Sequence, residues 1–297
     1  MAQKDITEKK LEAHNDVFAD IINNLVFNGE EVVSASDLSD VPTHSYYESE
    51  SKVVREQDRD VAKVWHKPNT AIRIAYFGME NETEPEDDMP IRVFNYDAAA
   101  YRDQVRYETD ENGKRVKILE RYPVSTLVLY LGYRRKWNKA KTIYEMLGEQ
   151  LDKRLTKIVH DYPMNLYEIA YLTREQVDRF KSDFWILADY LYQMRTNDNY
   201  VPTDHQIKHV REVLRMLEAV TNDKRLTEHI DELERSKEGV TMCRFLDEAE
   251  ARGEQNAIIL SIKKVMEKLK YTVEQAMDFL DIPSDQRSMY ASLVNAQ

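Results

Sequence analysis

Three carboxylates are the side chains best placed to do chemistry in this sequence: Asp60, Glu80 and Glu82. Glu80 and Glu82 stand two residues apart at the end of an apolar run, so a strand continuing through them turns both to one face. Asp60 opens the apolar run before it. Carboxylates converging at the ends of adjacent strands make an all-oxygen site, which suits Mg²⁺ or Mn²⁺ far better than Zn²⁺. The plainer alternative is a solvated acidic loop, because Glu84, Glu86, Asp87 and Asp88 crowd the same segment. Two details favour a site. Phe77, Gly78 and Met79 lead the apolar strand straight into Glu80, with Gly78 permitting close backbone approach beside the carboxylates. Asp60 precedes a strand, so helix capping does not account for it.

The elements that must hold these residues are two short strands, residues 61–65 and 71–79, joined by a turn over residues 66–69 that contains Pro68. In the second, Ile72, Ile74 and Tyr76 alternate with Arg73, Ala75 and Phe77. Upstream, residues 7–27 have a helical period, with Thr7 as a cap and Leu11, Phe18, Ile21, Ile22 and Leu25 as the apolar stripe. Residues 31–33 form a short strand, and residues 34–51 are polar enough for a long surface loop. Downstream, Pro90 opens a helix over residues 91–105 whose polar members include Arg92, Tyr96, Tyr101, Arg102 and Gln104. A turn at Asn112-Gly113 precedes strands at 116–119 and 124–131, the second apolar enough to be buried on both faces.

That buried strand runs into Arg134, Arg135, Lys136, Lys139 and Lys141, interleaved with Tyr133 and Trp137 and with no acid among them. Such a segment suits a nucleic-acid backbone, with a solvated loop anchored by Trp137 as the equal alternative. Residues 164–172 are strand-like, and Thr173 with Gln176 forms a capping box for a helix reaching about residue 195. Residues 198–202 break the chain. Beyond them the period is helical: residues 204–220, 226–235, and 242–269 as one long helix or a pair bent near Gly253. Thr272 caps a further helix, and a turn at Ile282-Pro283 leads to the last one, in the outline of a helix-turn-helix with few basic residues. That outline fits an oligomerising or partner-binding tail better than a DNA reader. His205 and His209 fall at i, i+4 with no third ligand beside them.

Asp60, a hairpin, then Glu80-Asn81-Glu82 resembles the D…ExK or D…ExQ core of the PD-(D/E)XK nuclease superfamily. More narrowly, RDVAKVW, IRIAYFGMENET, DMPIRVFNYDAAAYRDQ, YPVSTLVLYLGYRRKWNKAKTIYEML and NLYEIAYLTREQVDRFKSDFWILADYL resemble the Rpn-type recombination-promoting nuclease and transposase family of bacteria, over roughly residues 10 to 200. The resemblance implies a mixed central sheet flanked by helices. It also implies Asp60 and Glu80 as Mg²⁺ or Mn²⁺ ligands, with Asp20 lent by the first helix. Tyr96 and Arg102 would then lie beside the site, where Arg102 meets a phosphate; the alternative for Arg102 is an ion pair with Asp97 or Glu108. One departure stands out: Glu82 occupies the position of the family's Lys or Gln, which orients the attacking water.

Composition sets the outer bounds. The 297 residues suit about two domains, taken as 1–198 for the nuclease-like α/β domain and 199–297 for an all-α region. No apolar run reaches membrane-spanning length, the first residues lack an apolar signal core, and one cysteine, Cys243, excludes an internal disulfide framework. A cytoplasmic protein without membrane contact is the expectation. A net charge of −12 counts against indiscriminate DNA binding, although bound cations invert the local field at a carboxylate site. The expected function is metal-dependent hydrolysis of DNA phosphodiesters in recombination, transposition or phage defence. The alternative is a weakened nuclease fold that binds nucleic acid or a protein partner. Arg134, Arg135, Lys136 and Lys139 would meet DNA, and the C-terminal helices would support a homo-oligomer.

Overall fold

The backbone breaks where His14 takes an extended conformation, separating a 3-10 turn at Leu11–Ala13 from helix α1, Asn15–Leu25. The computed structural model describes residues 10–41, 43–48, 54–119, 121–227, 230–235 and 239–296, so the Thr7 cap lies outside the described residues. Strands β1 (Leu38–Asp40), β2 (His44–Glu48) and β3 (Val54–Asp58) follow, replacing much of the polar loop expected there, while residues 31–33 are not a strand. Next come β4 (Val61–His66), β5 (Arg73–Glu82), α2 (Met89–Asp103), β6 (Val105–Thr109), β7 (Arg115–Leu119) and β8 (Val124–Tyr130). After α3 (Ile143–Leu147) and β9 (Asn165–Glu168), the Thr173 capping box forms, but its helix stops early. The expected single helix is two, α4 (Arg174–Asp178) and α5 (Phe184–Asn197).

Five strands make the central sheet in the order β1-β4-β5-β8-β9. β1, β4 and β5 are antiparallel neighbours, whereas β8 and β9 join in parallel, so the sheet is mixed. β8 lies between two parallel strands and is buried along almost its whole length, as its run of apolar residues requires. One sheet face meets α1: Lys63, fully buried, donates to Ala13 O at 2.8 Å, pairs with Asp40 and stands over the Phe18 ring. The other face meets α2, where Met89 and Val93 pack with Val128, Tyr130 and Trp137.

Under α2 lies a buried polar network. Arg59 reaches Asp97 at 3.4 Å and sits over the rings of Tyr76 and Tyr96, while Asp97 also accepts from Thr126 at 2.5 Å and Tyr162 at 2.6 Å. Gly78 lies beneath the Arg59 stem, and a Cβ there would overlap it. The close approach that Gly78 permits is therefore by a side chain, not by backbone. Gly78→Ala is expected to displace Arg59, strand Asp97 without its cation, and cost about 2–4 kcal/mol. Urea unfolding of the two proteins measures this, and equal midpoints would contradict it.

The chain divides into two compact units: residues up to Val201 with Lys208–Arg235, and Pro202–Ile207 with the remainder. Helices α6 (Val210–Thr221) and α7 (Ile230–Arg235) thus belong with the sheet domain, whereas the sequence puts everything past residue 198 in a separate region. In the second unit, β10 (Gln206–Ile207) pairs with β11 (Val240–Thr241), and α8 (Met242–Leu269) runs as one helix through Gly253. Helices α9 (Val273–Phe279) and α10 (Arg287–Ala296) close a small core with it around Ile262, Met277 and Tyr290. Among the described residues, no helix is long and apolar enough to cross a membrane.

Candidate active site

The register that pairs Val61 with Met79 sets Asp60 opposite Glu80, both on the α2 face of the sheet, and strand alternation turns Glu82 the same way. Asp60 Oδ2 accepts from the Asn81 backbone N–H at 3.0 Å, which locks the carboxyl to the end of β5. Its other oxygen pairs with Lys10. Glu80 is almost wholly buried, and its Oε1 has no hydrogen-bond partner. Burial first, and the charge of Asp60 second, push the Glu80 carboxyl up to about 7.

Two further residues complete the cluster, and sequence reasoning assigned a site role to neither. Glu12, on the 3-10 turn before α1, is fully buried with both oxygens lacking a well-formed hydrogen bond. Burial lifts its carboxyl to about 7, opposed by the Asn81 side chain and reinforced by Asp60. Arg92, on α2, donates from Nη2 to Glu80 at 3.1 Å and to Glu82 at 2.9 Å, and from Nη1 to Glu86. Burial opposes its charge, but those carboxylates hold the guanidinium firmly protonated. Burial also raises the Glu82 carboxyl, against the pull of Arg92. One turn along α2, Tyr96 is buried beside Glu80, and burial with that neighbouring charge raises its hydroxyl to about 12.

The structure brings Asp60, Glu80, Glu82 and Tyr96 together and leaves the other expected residues elsewhere. Asp20 is not part of the cluster. Its Oδ2 accepts from Lys181 N at 2.9 Å, Ser182 N at 2.8 Å and Ser182 Oγ at 2.7 Å, so it ties α1 to the break before α5. Arg102 is exposed and pairs with its neighbour Asp103, not with Asp97 or Glu108. In the basic segment Trp137 is buried edge-on to Tyr130, Arg135 pairs with Glu84, and Lys139 pairs with Asp87 at 2.9 Å. Lys136 lies over the Tyr171 ring and Arg134 over Tyr133. The basic and acidic loops therefore face one another. Beside them a cleft of about 580 Å³ opens between Thr83-Glu84, residues 130–135 and the end of α6.

The donor set is of the hard-oxygen type, although the ligand atoms of Glu12, Asp60 and Glu80 do not all lie within 4.8 Å of one another. Glu12, Asp60 and Glu80 offer only oxygens, Glu80 Oε1 and both Glu12 oxygens lack hydrogen-bond partners, and the repulsion of Asp60 with each of the other two is what a nearby cation relieves. The same repulsion has a consequence for stability. Both Glu12 and Glu80 hold a proton more tightly folded than in their ordinary state near 4.5, so the native protein binds more protons between there and about 7. Their contribution is fully present below the lower value and is lost as pH rises through the upper one, of the order of 3 kcal/mol per acid. Chemical denaturation across that window should show stability falling with pH, with the slope reduced in Glu12→Gln and Glu80→Gln. A flat profile in the native protein would exclude the effect.

A mixed α/β domain with buried carboxylates gathered where two strands end is thus the class of protein the geometry defines. No protein-family model, no curated protein and no solved structure matches this chain.

Proposed function

We propose that this protein is a metal-dependent DNA endonuclease of the PD-(D/E)XK type, with Glu12, Asp60 and Glu80 as the ligands of Mg²⁺ or Mn²⁺. The observation that supports this reading most is the buried surplus of acid. Glu12 is buried with neither oxygen well hydrogen-bonded, and Glu80, paired with Arg92 through one oxygen, is buried with the other to spare. The order of Asp60, the hairpin and Glu80-Asn81-Glu82 supports it independently, as does the resemblance of the flanking blocks to the recombination-promoting nuclease family.

When bound, the cation supplies Lewis-acid polarisation of a phosphate oxygen and of the attacking water. The chain's own residues do the rest. Glu12 and Glu80, poised near neutrality, take up or release a proton as charge enters the site. Lys10, paired with Asp60, brings a cation to the cluster, but not at the position of Glu82, where the resemblance leads one to seek Lys. Arg134 and Arg135 line the adjoining cleft and are the groups nearest to hand for a phosphate backbone. A role in recombination, transposition or phage defence is part of the same proposal and rests on the resemblance alone.

One observation favours a second reading, a weakened nuclease fold that binds nucleic acid or a protein. Arg92 bridges Glu80 and Glu82, and Glu84 and Asp87 neutralise two cations of the basic loop. Incubation with supercoiled plasmid and Mg²⁺ or Mn²⁺ separates the two. Nicking that is lost in Asp60→Asn establishes the enzyme. Binding of the plasmid in Ca²⁺, with no cleavage in either activating metal, establishes the second reading.

A further inference from the structure

We propose that His14, His209 and Glu212 form a second metal site, chemically distinct from the carboxylate cluster, which takes a transition-metal dication of the Zn²⁺ type and clips the N-terminal turn to α6. One donor atom from each of the three lies within 4.8 Å of the other two. His14 Nε2 and Glu212 Oε1 are 3.3 Å apart. That is about the edge of a tetrahedron whose centre sits at roughly 2.0–2.1 Å from nitrogen and oxygen ligands. Two imidazoles and a carboxylate with a fourth position open is a donor set for Zn²⁺, Co²⁺ or Ni²⁺, and a poor one for Mg²⁺.

The two imidazoles lie against one another. His14 and His209 stack with centroids 3.7 Å apart and planes 20° from parallel. Rings stacked face to face do not aim both in-plane lone pairs at one point, so metal binding turns one ring out of the stack. His14 Nε2 is buried and makes no hydrogen bond, although Glu212 lies beside it. Its lone pair or proton is therefore unused within the protein.

The surroundings anchor the elements that carry the donors. Asp183, itself buried, accepts from the backbone N–H of Lys208 at 3.0 Å and of His209 at 2.5 Å, which fixes the start of α6. Asp16 lies 3.3 Å from His209 Nε2 through both of its oxygens and orients the ring. Such outer carboxylates position metal-binding histidines and raise their basicity. His14 is also the extended residue that separates α1 from the turn bearing Glu12. A metal at His14 thus fixes the backbone two residues from the carboxylate cluster.

Titration of the metal-stripped full-length protein with Co²⁺ tests this, read by the visible ligand-field bands of four-coordinate cobalt and by calorimetry. One equivalent of four-coordinate cobalt, counted by those bands, is expected in the native protein and equally in Asp60→Asn, which leaves this site intact. His209→Gln should abolish the bands, and Glu212→Gln, the milder change, should weaken binding at least tenfold while retaining the native circular dichroism. Zn²⁺ should displace the cobalt. Binding that survives in both variants, binding lost in Asp60→Asn instead, or no binding by the native protein would each overturn the proposal.

Discussion

Arg92→Gln is expected to weaken the metal-free protein and, at the same time, to tighten its hold on Mn²⁺ at least tenfold. Arg92 is the cation that Glu80 and Glu82 share in the absence of metal: one guanidinium nitrogen bridges Glu80 and Glu82, and another reaches Glu86. Removing one partner of a buried pair costs about 3–5 kcal/mol because the other charge is left without compensation. The loss here belongs at the low end. Arg92 is 31% exposed, and Glu80, with its carboxyl already near 7, offsets part of the loss by taking a proton. Metal binding changes in the opposite direction, because two oxygens are freed and a nearby positive charge is gone, and each 1.4 kcal/mol is worth a factor of ten. Thermal unfolding in chelator and Mn²⁺ calorimetry measure the two halves. An unchanged Mn²⁺ affinity would mean that Arg92 and the metal do not compete, and so that Glu80 is not a ligand.

The half of the site that lies on strands was legible because strand alternation is a strong local signal. The period of two through Ile74, Tyr76 and Gly78 carries on to Glu80 and Glu82, and the hairpin turn fixes which residue opposes Asp60. The half contributed by helices was not. Glu12 falls inside what the apolar spacing presents as one continuous helix; the extended backbone at His14 leaves an early part of that helix as a separate 3-10 turn and brings Glu12 to Asn81 and Asp60. Arg92 did carry a signal: it shares a helix face with Tyr96 one turn on, next to the buried Val93, and a charged side chain bordering a buried stripe must find a partner. Asp20 misled for the converse reason. An acid one turn past Asp16 on an amphipathic helix suits a metal ligand, but the break between α4 and α5 presents free backbone N–H groups that claim it first. The spacing of His205 and His209 offered no third ligand, and α6 begins only at Val210; His209 meets His14, distant in the chain. No local pattern encodes a contact between residues so distant in the chain.

Glu82→Gln is the substitution that decides whether the departure from the Lys or Gln of related motifs damps an enzyme or adapts it. Glu82 Oε1 accepts from Arg92 at 2.9 Å, and burial, more than the neighbouring acids, raises its carboxyl. Glutamine keeps an acceptor for Arg92, removes one negative charge, and adds an amide N–H that an ionised carboxylate lacks. The loss of charge should loosen Mn²⁺ by about tenfold, the equivalent of 1.4 kcal/mol. The gained donor should act in the other direction once metal is saturating, because an N–H aimed at the reacting water or phosphate stabilises charge that develops there. Nicking at saturating Mn²⁺ is therefore expected to be several-fold faster in the variant than in the native protein, with the difference reversed at limiting Mn²⁺. Plasmid assays across a metal titration show both regimes in one experiment. A variant that is dead at every metal concentration, beside an active native protein, would make Glu82 a working ligand or base and the departure an adaptation. A variant indistinguishable from native in affinity and rate would remove Glu82 from the site, leaving Glu12, Asp60 and Glu80 to hold the cation without it.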